Sequence, residues 1–341
     1  MSSTATLPCC AMNLGAMLVL SEKAVQGLLS VEELVGTLER AHIQFSTGNA
    51  VMPVRLVVPL PQIKGRITSM PAYLSGDRAL GMKVVTYFRE NPTQGLPAIL
   101  ATVMLYSPET GKILAIMDGG FITAARTACA SAMATKILAN PETPVMGVLG
   151  AGVQSAAHIR ALCRVRAMKS IKLYSPSGNS ARRLKEELEP EVKIKIEPVK
   201  TAEEAARGAD LLVTATTAPE PILNSSWLKP GAHINAIGSH RPDLREIDAV
   251  TMKRAKAFVD SREATMAECG DVLLAIKEGA IAEHHASVEI GEVLAGKKPG
   301  RTTPEEITLY KSVGIAVQDV ATAQLVYQKA LEKKVGTDVE I

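Results

Sequence analysis

The feature that most constrains this chain is a short apolar run at residues 145–149. It ends directly on a glycine-rich turn, Gly150-Ala151-Gly152-Val153-Gln154-Ser155, and continues into a helical stretch at 156–165. A glycine at 150 permits a tight turn, and one at 152 lets the backbone approach a pyrophosphate. The N–H groups and positive dipole end of the following helix then face the anion. Ser155 stands where a third glycine is common and is small enough for close helix–strand packing. Such a turn alone is weak evidence, but here it follows a strand and opens a helix. Past Pro144, strand-like runs at 171–174, 192–196, 211–214, 233–237 and 257–259 alternate with helical stretches. Alternation of this kind predicts an α/β fold with a doubly wound parallel sheet, able to hold a dinucleotide.

The N-terminal part has another texture. Ser21 and Ser30 each precede an apolar-periodic stretch and read as helix N-caps, with Glu33 completing a capping box after Ser30. From 51 to 105 the pattern becomes short β runs, 54–60, 82–88 and 99–106, broken by Pro and Gly. A helix is predicted over 123–138, stopped by Asn140-Pro141. A last helix, 315–331, is expected to cross back onto the N-terminal half. Residues 11–20 are apolar, but too few to span a membrane and not preceded by a basic residue. Folding is therefore expected to begin at Met17, with 1–16 as a flexible leader.

At 341 residues the chain is long enough for two domains. A net charge of +3 calls for neither nucleic acid nor an anionic membrane. The five cysteines form no Cys-x-x-Cys pair and lie at no metal-ligand spacing. They read as reduced thiols of a cytoplasmic protein that holds no metal.

The end of the second strand bears on the cofactor. An acid there would bond a ribose 2′-hydroxyl. This chain instead has Ser175 and Ser177, with Arg182 and Arg183 just beyond. Hydroxyls and guanidinium groups suit a 2′-phosphate, so NADP(H) is favoured over NAD(H). The arginines otherwise read as a solvated helix face.

Several stretches resemble the ornithine cyclodeaminase/μ-crystallin family, in family order along nearly the whole chain. They are 70–73 (Met-Pro-Ala-Tyr), 83–87 (Lys-Val-Val-Thr-Tyr), 116–119 (Ile-Met-Asp-Gly), 123–127 (Thr-Ala-Ala-Arg-Thr), 150–154, 230–238 and 312–319. The resemblance implies a Rossmann domain, 126–309, and a split α+β domain for substrate and dimerisation, 17–125 with 310–341. It also implies that Arg55, Lys83 and Arg126 gather around a substrate carboxylate beside Val313. Thr216, Asn235, Ala236, Ile237, Gly238 and Ser312 would join Gly150, Gly152, Val153 and Gln154 at the cofactor.

Read alone, each of the three cations is a surface charge or a structural ion pair; read with the resemblance they form the clamp, and physical chemistry supports that assignment. Guanidinium forks fix carboxylates well. Arg126 lies in an apolar, alanine-rich stretch where an unpaired charge is costly, and Lys83 lies inside a β run. Desolvation and two arginines would bring the Lys83 ammonium toward neutrality, fit to carry a proton.

Departures from the family pattern narrow the chemistry. Cyclodeaminases hold the ornithine amine with a Glu where this chain has Thr68, and an Asp is replaced within Gly238-Ser239-His240. His240 reads either as a proton donor in place of that Asp or as a loop residue. The run 241–246 resembles μ-crystallin, which has ketimine reductase activity. The leading expectation is NAD(P)H-dependent reduction of pyrroline-2-carboxylate or piperideine-2-carboxylate by a homodimer. Alanine dehydrogenase, ornithine cyclodeaminase and a crystallin-like binding protein follow. His284 and His285 read as solvated, His233 as structural, and Asp118 as a turn residue.

Overall fold

The computed structural model describes residues 16–340. The expected leader lies outside these residues except for Ala16, which already belongs to the first strand and pairs with Glu340. Seven strands come from the N-terminal part: β1 (Ala16–Leu20), β2 (Ala50–Val51), β3 (Leu56–Leu60), β4 (Gly65–Leu74), β5 (Ala79–Phe88), β6 (Ile99–Tyr106) and β7 (Ile113–Asp118). Eight follow: β8 (Val145–Leu149), β9 (Ser170–Tyr174), β10 (Lys195–Val199), β11 (Leu211–Thr214), β12 (His233–Ala236), β13 (Lys256–Val259), β14 (Val288–Glu289) and β15 (Thr308–Lys311). The last, β16 (Thr337–Glu340), returns to the first sheet beside β1.

The second sheet is parallel, in the order β10-β9-β8-β11-β12-β15-β13-β14. Its direction of winding reverses between β8 and β11, so the crevice for a ligand lies at the carboxyl ends of those strands. The glycine-rich turn leaves β8 at that point. The doubly wound expectation is met. The predicted strand at 192–196 begins later, at Lys195, because Val192 closes the helix Asn179–Val192 and Lys193 takes a left-handed backbone conformation.

The first sheet, ordered β16-β1-β7-β6-β5-β4-β2 with β3 also on β4, is antiparallel except for β1 and β7. β4 alternates along its length. Thr68, Met70, Ala72 and Leu74 are buried, while Ile67 on the other face is exposed. The buried face packs against the helix Ala316–Lys333, which crosses back as expected.

The expected domain junctions both fall inside continuous elements. The helix Gly119–Leu138 runs through 125/126, capped by the Asp118 carboxylate, which accepts from Phe121 N at 3.0 Å. It starts four residues earlier than predicted because that cap lies ahead of the glycines. Tyr310 and Lys311 remain in the second sheet, since β15 is paired with both β12 and β13 through Lys311. Ser21 and Ser30 cap their helices through Ala24 N and Glu33 N. His285 departs from its solvated reading: its Nε2 lies 2.7 Å from Met252 O and 2.9 Å from Ala255 O, tying it to the end of the helix Ala249–Arg254. His233 is structural, with Nδ1 2.9 Å from Thr308 Oγ1 inside the sheet.

Candidate active site

The cofactor side is built on the turn after β8. Gly150 has φ +112°, and a Cβ there would lie 2.4 Å from Ala215 O, so only glycine fits. Gly152 differs. A Cβ on it would meet nothing within 4 Å, which leaves open space at the N-terminus of the helix Val153–Val165. Val153 beside it is 74% exposed, and Gln154 Oε1 is a buried acceptor without a protein partner among the described residues. An open approach to free helix N–H groups fits a pyrophosphate.

At the end of β9, Ser175 Oγ and Ser177 Oγ lie 2.6 and 2.9 Å from Ser180 Oγ, and Arg182 bonds Asn179. After β11, Thr216 is clamped by Glu246. Its N and Oγ1 both donate at 2.6 Å, and Gly238 N donates to the other carboxylate oxygen at 2.7 Å. Glu246, which the sequence analysis singled out for no role of its own, thus ties the loops after β11 and β12 together. Asn235 and Ala236 lie one step further in. Both are fully buried in β12, and Asn235 Nδ2 donates to Thr135 Oγ1 at 3.0 Å. Only Ile237 and Gly238, past the strand end, are partly accessible.

On the substrate side the structure brings Arg55, Lys83, Arg126, Ser312 and Val313 together. Lys83 projects from the middle of β5, opposite Met70 of β4, onto the buried face. Its Nζ lies 2.9 Å from Asp319 Oδ1 and 2.8 Å from Oδ2. Arg126 Nε reaches the same Oδ1 at 2.9 Å, and its Nη1 donates to Gln318 Oε1 at 2.5 Å. Arg55 Nε pairs with Glu268 at 3.0 Å, while its Nη2 donates to the carbonyls of Val313 and Gly314 at 2.7 and 2.5 Å. Asp260 pins the same loop by accepting from Ser312 Oγ at 2.9 Å and Gly314 N at 2.7 Å. Ser312 therefore faces Asp260, and the Val313 carbonyl accepts from Arg55. Gly314, at φ +76°, leaves room for Arg126, whose Nη1 would lie 2.7 Å from a Cβ there.

Two guanidinium arms remain without a protein hydrogen bond among the described residues, Nη1 of Arg55 and Nη2 of Arg126. Burial, reinforced by Arg126, pushes the Lys83 ammonium down to about 7 against the opposing pull of Asp319. Burial and Arg126 hold His42, behind Gln318, neutral with a pKa of about 3.

His240 lies at the outer edge of the cleft, with Nε2 3.0 Å from Arg66 Nη2. Its outer edge is exposed, yet packing around the ring, helped by Arg66, Arg55 and Lys311, pushes its pKa down to about 4. These neighbours favour the neutral ring, whose Nε2 can accept from Arg66. A separate apolar cavity of about 440 Å³ opens beside Gly152 and Val153 but touches none of the clamp residues. Asp319 and Gln318 lay within a quoted motif, and their signal was polarity inside an otherwise apolar helix. Asp260, Glu268 and Arg66 gave none.

An open glycine turn at the switch point of a parallel sheet, in a chain that also buries a cluster of cations, is the arrangement of a nicotinamide-dependent oxidoreductase. The chain belongs to the ornithine cyclodeaminase/mu-crystallin family, whose model matches residues 16–334. It is 41% identical to the ketimine reductase mu-crystallin of Mus musculus over 310 residues, 90% of this chain and 95% of that one. The Δ1-pyrroline-2-carboxylate reductase of Thermococcus litoralis, solved with NADH and L-proline, is 42% identical. It matches with a TM-score of 0.92 over 95% of this chain and 100% of that one. An archaeal alanine dehydrogenase dimer with bound NAD matches at 0.90 and 37% identity, over 96% and 99%. No helix among the described residues is long and apolar enough to cross a membrane.

Proposed function

We propose that this chain reduces the C=N bond of a small cyclic imino acid of the pyrroline-2-carboxylate or piperideine-2-carboxylate type to the cyclic amino acid. The observation that carries this reading is the buried triad in which Lys83 and Arg126 share the single carboxylate of Asp319. One carboxylate shared by two cations leaves room for a second anion, the substrate carboxylate. The free arms of Arg55 and Arg126 receive it, and their planar forks fix its orientation. Holding the imino acid by its carboxylate sets the imine carbon in one place, which is the larger part of catalysis for so small a substrate. A reduced nicotinamide dinucleotide, whose pyrophosphate Gly150, Gly152 and Val153 would hold, would supply the hydride. Lys83, poised near neutrality, holds the proton for the imine nitrogen.

Thr68 supports an imine over a diamine. It is buried on the same face as Met70, so no carboxylate stands there to hold a distal ammonium. The Ser175, Ser177 and Arg182 cluster favours NADP(H) over NAD(H). A homodimer that buries the exposed apolar residues of β3 and β6, Leu56, Val57, Val58, Ile99 and Leu100, would account for their exposure in the single chain. The deciding experiment follows reduced-cofactor oxidation with each cyclic imine and with pyruvate plus ammonia, alongside ammonia release from ornithine. Turnover of the cyclic imines above that of pyruvate is expected, and turnover of ornithine alone would overturn the reading.

A further inference from the structure

Gln318 and Asp319 are neighbours in the first turn of the helix Ala316–Lys333, and they hold Arg126 by different atoms. Asp319 takes Nε, Gln318 takes Nη1 through its Oε1, and Nη2 has no protein partner among the described residues. The aim of that last arm depends on which end of the Gln318 amide faces Arg126. A guanidinium only donates, so it needs the amide oxygen; the amide nitrogen in the same place would set donor against donor. The two ends of an amide are nearly alike in shape, so packing alone does not choose between them.

His42 makes the choice. It lies on the helix Val31–Ser46, fully buried, with Nε2 3.0 Å from Gln318 Nε2. The amide nitrogen donates, so the imidazole Nε2 accepts and the proton of the neutral ring sits on Nδ1. Turning the amide over would lose the bond to Arg126 whichever tautomer His42 adopted. The Tyr310 hydroxyl, beside the same amide, makes no hydrogen bond among the described residues, so it offers no fixed alternative.

Packing does not explain an imidazole here. Its Nδ1, which must carry the proton, is buried without a partner among the described residues. An unmet buried donor is destabilising, and an apolar ring would suit the core better. The backbone that carries the ring is also firmly seated. A Cβ at Gly291 would lie 2.1 Å from His42 O, and one turn on, Ser46 Oγ donates to Glu289 at 2.7 Å.

We propose that His42 is a positioning residue for the reaction: by accepting from Gln318 it keeps the amide oxygen toward Arg126, and so aims the free Nη2 at the substrate carboxylate. The proposal rests on the imino acid reading above. His42 stands behind Gln318 and acts only through that amide and Arg126.

The test is a double-mutant cycle on the reduction of 1-pyrroline-2-carboxylate, with His42→Phe, Gln318→Met and the two combined. His42→Phe should raise KM about tenfold and leave kcat within about threefold, because the bound imine still meets the same hydride donor. Gln318→Met should behave alike, and the double variant should be no worse than the worse single one, since both break one chain. His42→Gln can still offer an acceptor and should stay within about threefold of wild type in KM. Additive losses, a loss confined to kcat, wild-type KM in His42→Phe, or an equal loss in His42→Gln overturns the proposal. Cofactor titration accompanies each variant, and a fall in cofactor affinity matching the rise in KM overturns it as well. Thermal melting shows which variants fold. If His42→Phe does not, the cycle runs on His42→Asn, whose shorter side chain leaves no acceptor at the Nε2 position. If wild type reduces no cyclic imine, the parent reading fails, and binding of L-proline to wild type and His42→Phe judges the positioning alone. Equal affinities, or no binding, overturn it there.

Discussion

Lys83 and Asp319 meet at 2.8 Å with 2% and 0% of their side chains exposed, one from the middle of a strand and the other from a helix 236 residues further on. A buried ion pair is weak evidence for stability, because desolvation offsets much of the attraction. Here Arg126 joins the same carboxylate, giving two cations to one anion in a closed space. Such an arrangement gains most when a further carboxylate arrives, and that is the chemistry of substrate binding.

The first prediction concerns pH. Lys83 titrates near 7 because burial opposes its charge, so below that pH it carries the proton and above it loses it. With saturating cofactor, kcat/KM for the cyclic imine should fall as pH rises through about 7, and Lys83→Met should remove this limb. His240→Asn should leave the profile between about pH 6 and 8 unchanged, since burial and its cationic neighbours already keep His240 neutral there. Steady-state rates across that range decide both points.

Arg126→Ala removes one arm of the clamp and one of the two partners of Asp319. The loss of a charge-assisted bond is about 1.5–3 kcal/mol, or roughly ten- to a hundredfold in kcat/KM for 1-pyrroline-2-carboxylate. Cofactor affinity should stay near wild type, because Gly150 and Gly152 are held by a separate part of the sheet. Kinetics paired with a cofactor titration reads the two effects apart. Wild-type kinetics would place the clamp elsewhere.

Ser175→Asp would set a carboxylate at the end of β9, where it repels a 2′-phosphate and can accept from a ribose 2′-hydroxyl. Wild type should bind NADPH more tightly than NADH, and the variant should reverse the order. Fluorescence titration with both dinucleotides measures it. Tighter NADH binding by wild type would overturn the NADP preference.

Ile99 and Leu100 lie exposed at the start of β6. A lysine at Ile99 places a charge in the expected dimer interface. Light scattering at micromolar concentration should give a dimer for wild type and a smaller species for Ile99→Lys. A monomeric wild type would remove the interface from the reading.

The doubly wound sheet was legible in the sequence because its determinants are local. The run 145–149, the turn at Gly150 and Gly152, and the alternation beyond Pro144 each fix a neighbouring element through backbone sterics and periodicity. Caps at Ser21 and Ser30 were legible for the same reason. The sequence also named Arg55, Lys83 and Arg126, through resemblance and through charge in apolar surroundings. Their partners were not legible. Asp319 and Glu268 become counter-ions, and Asp260 the anchor of the 312–314 loop, only once the helix Ala316–Lys333 crosses back onto β4 and β5 and that loop is brought to Arg55. The junction at 125/126 vanished into one helix because hydrogen bonds continue wherever no residue breaks them. His240 shows the same divide from the other side. Its identity left it between a proton donor and a loop residue, while the burial that favours its neutral form, and the cations from β4, β15 and the loop before β3 that add to it, are set by tertiary packing alone. Local sterics and periodicity lie in neighbouring residues, whereas an ionisation state depends on which distant charges the fold places within a few ångströms.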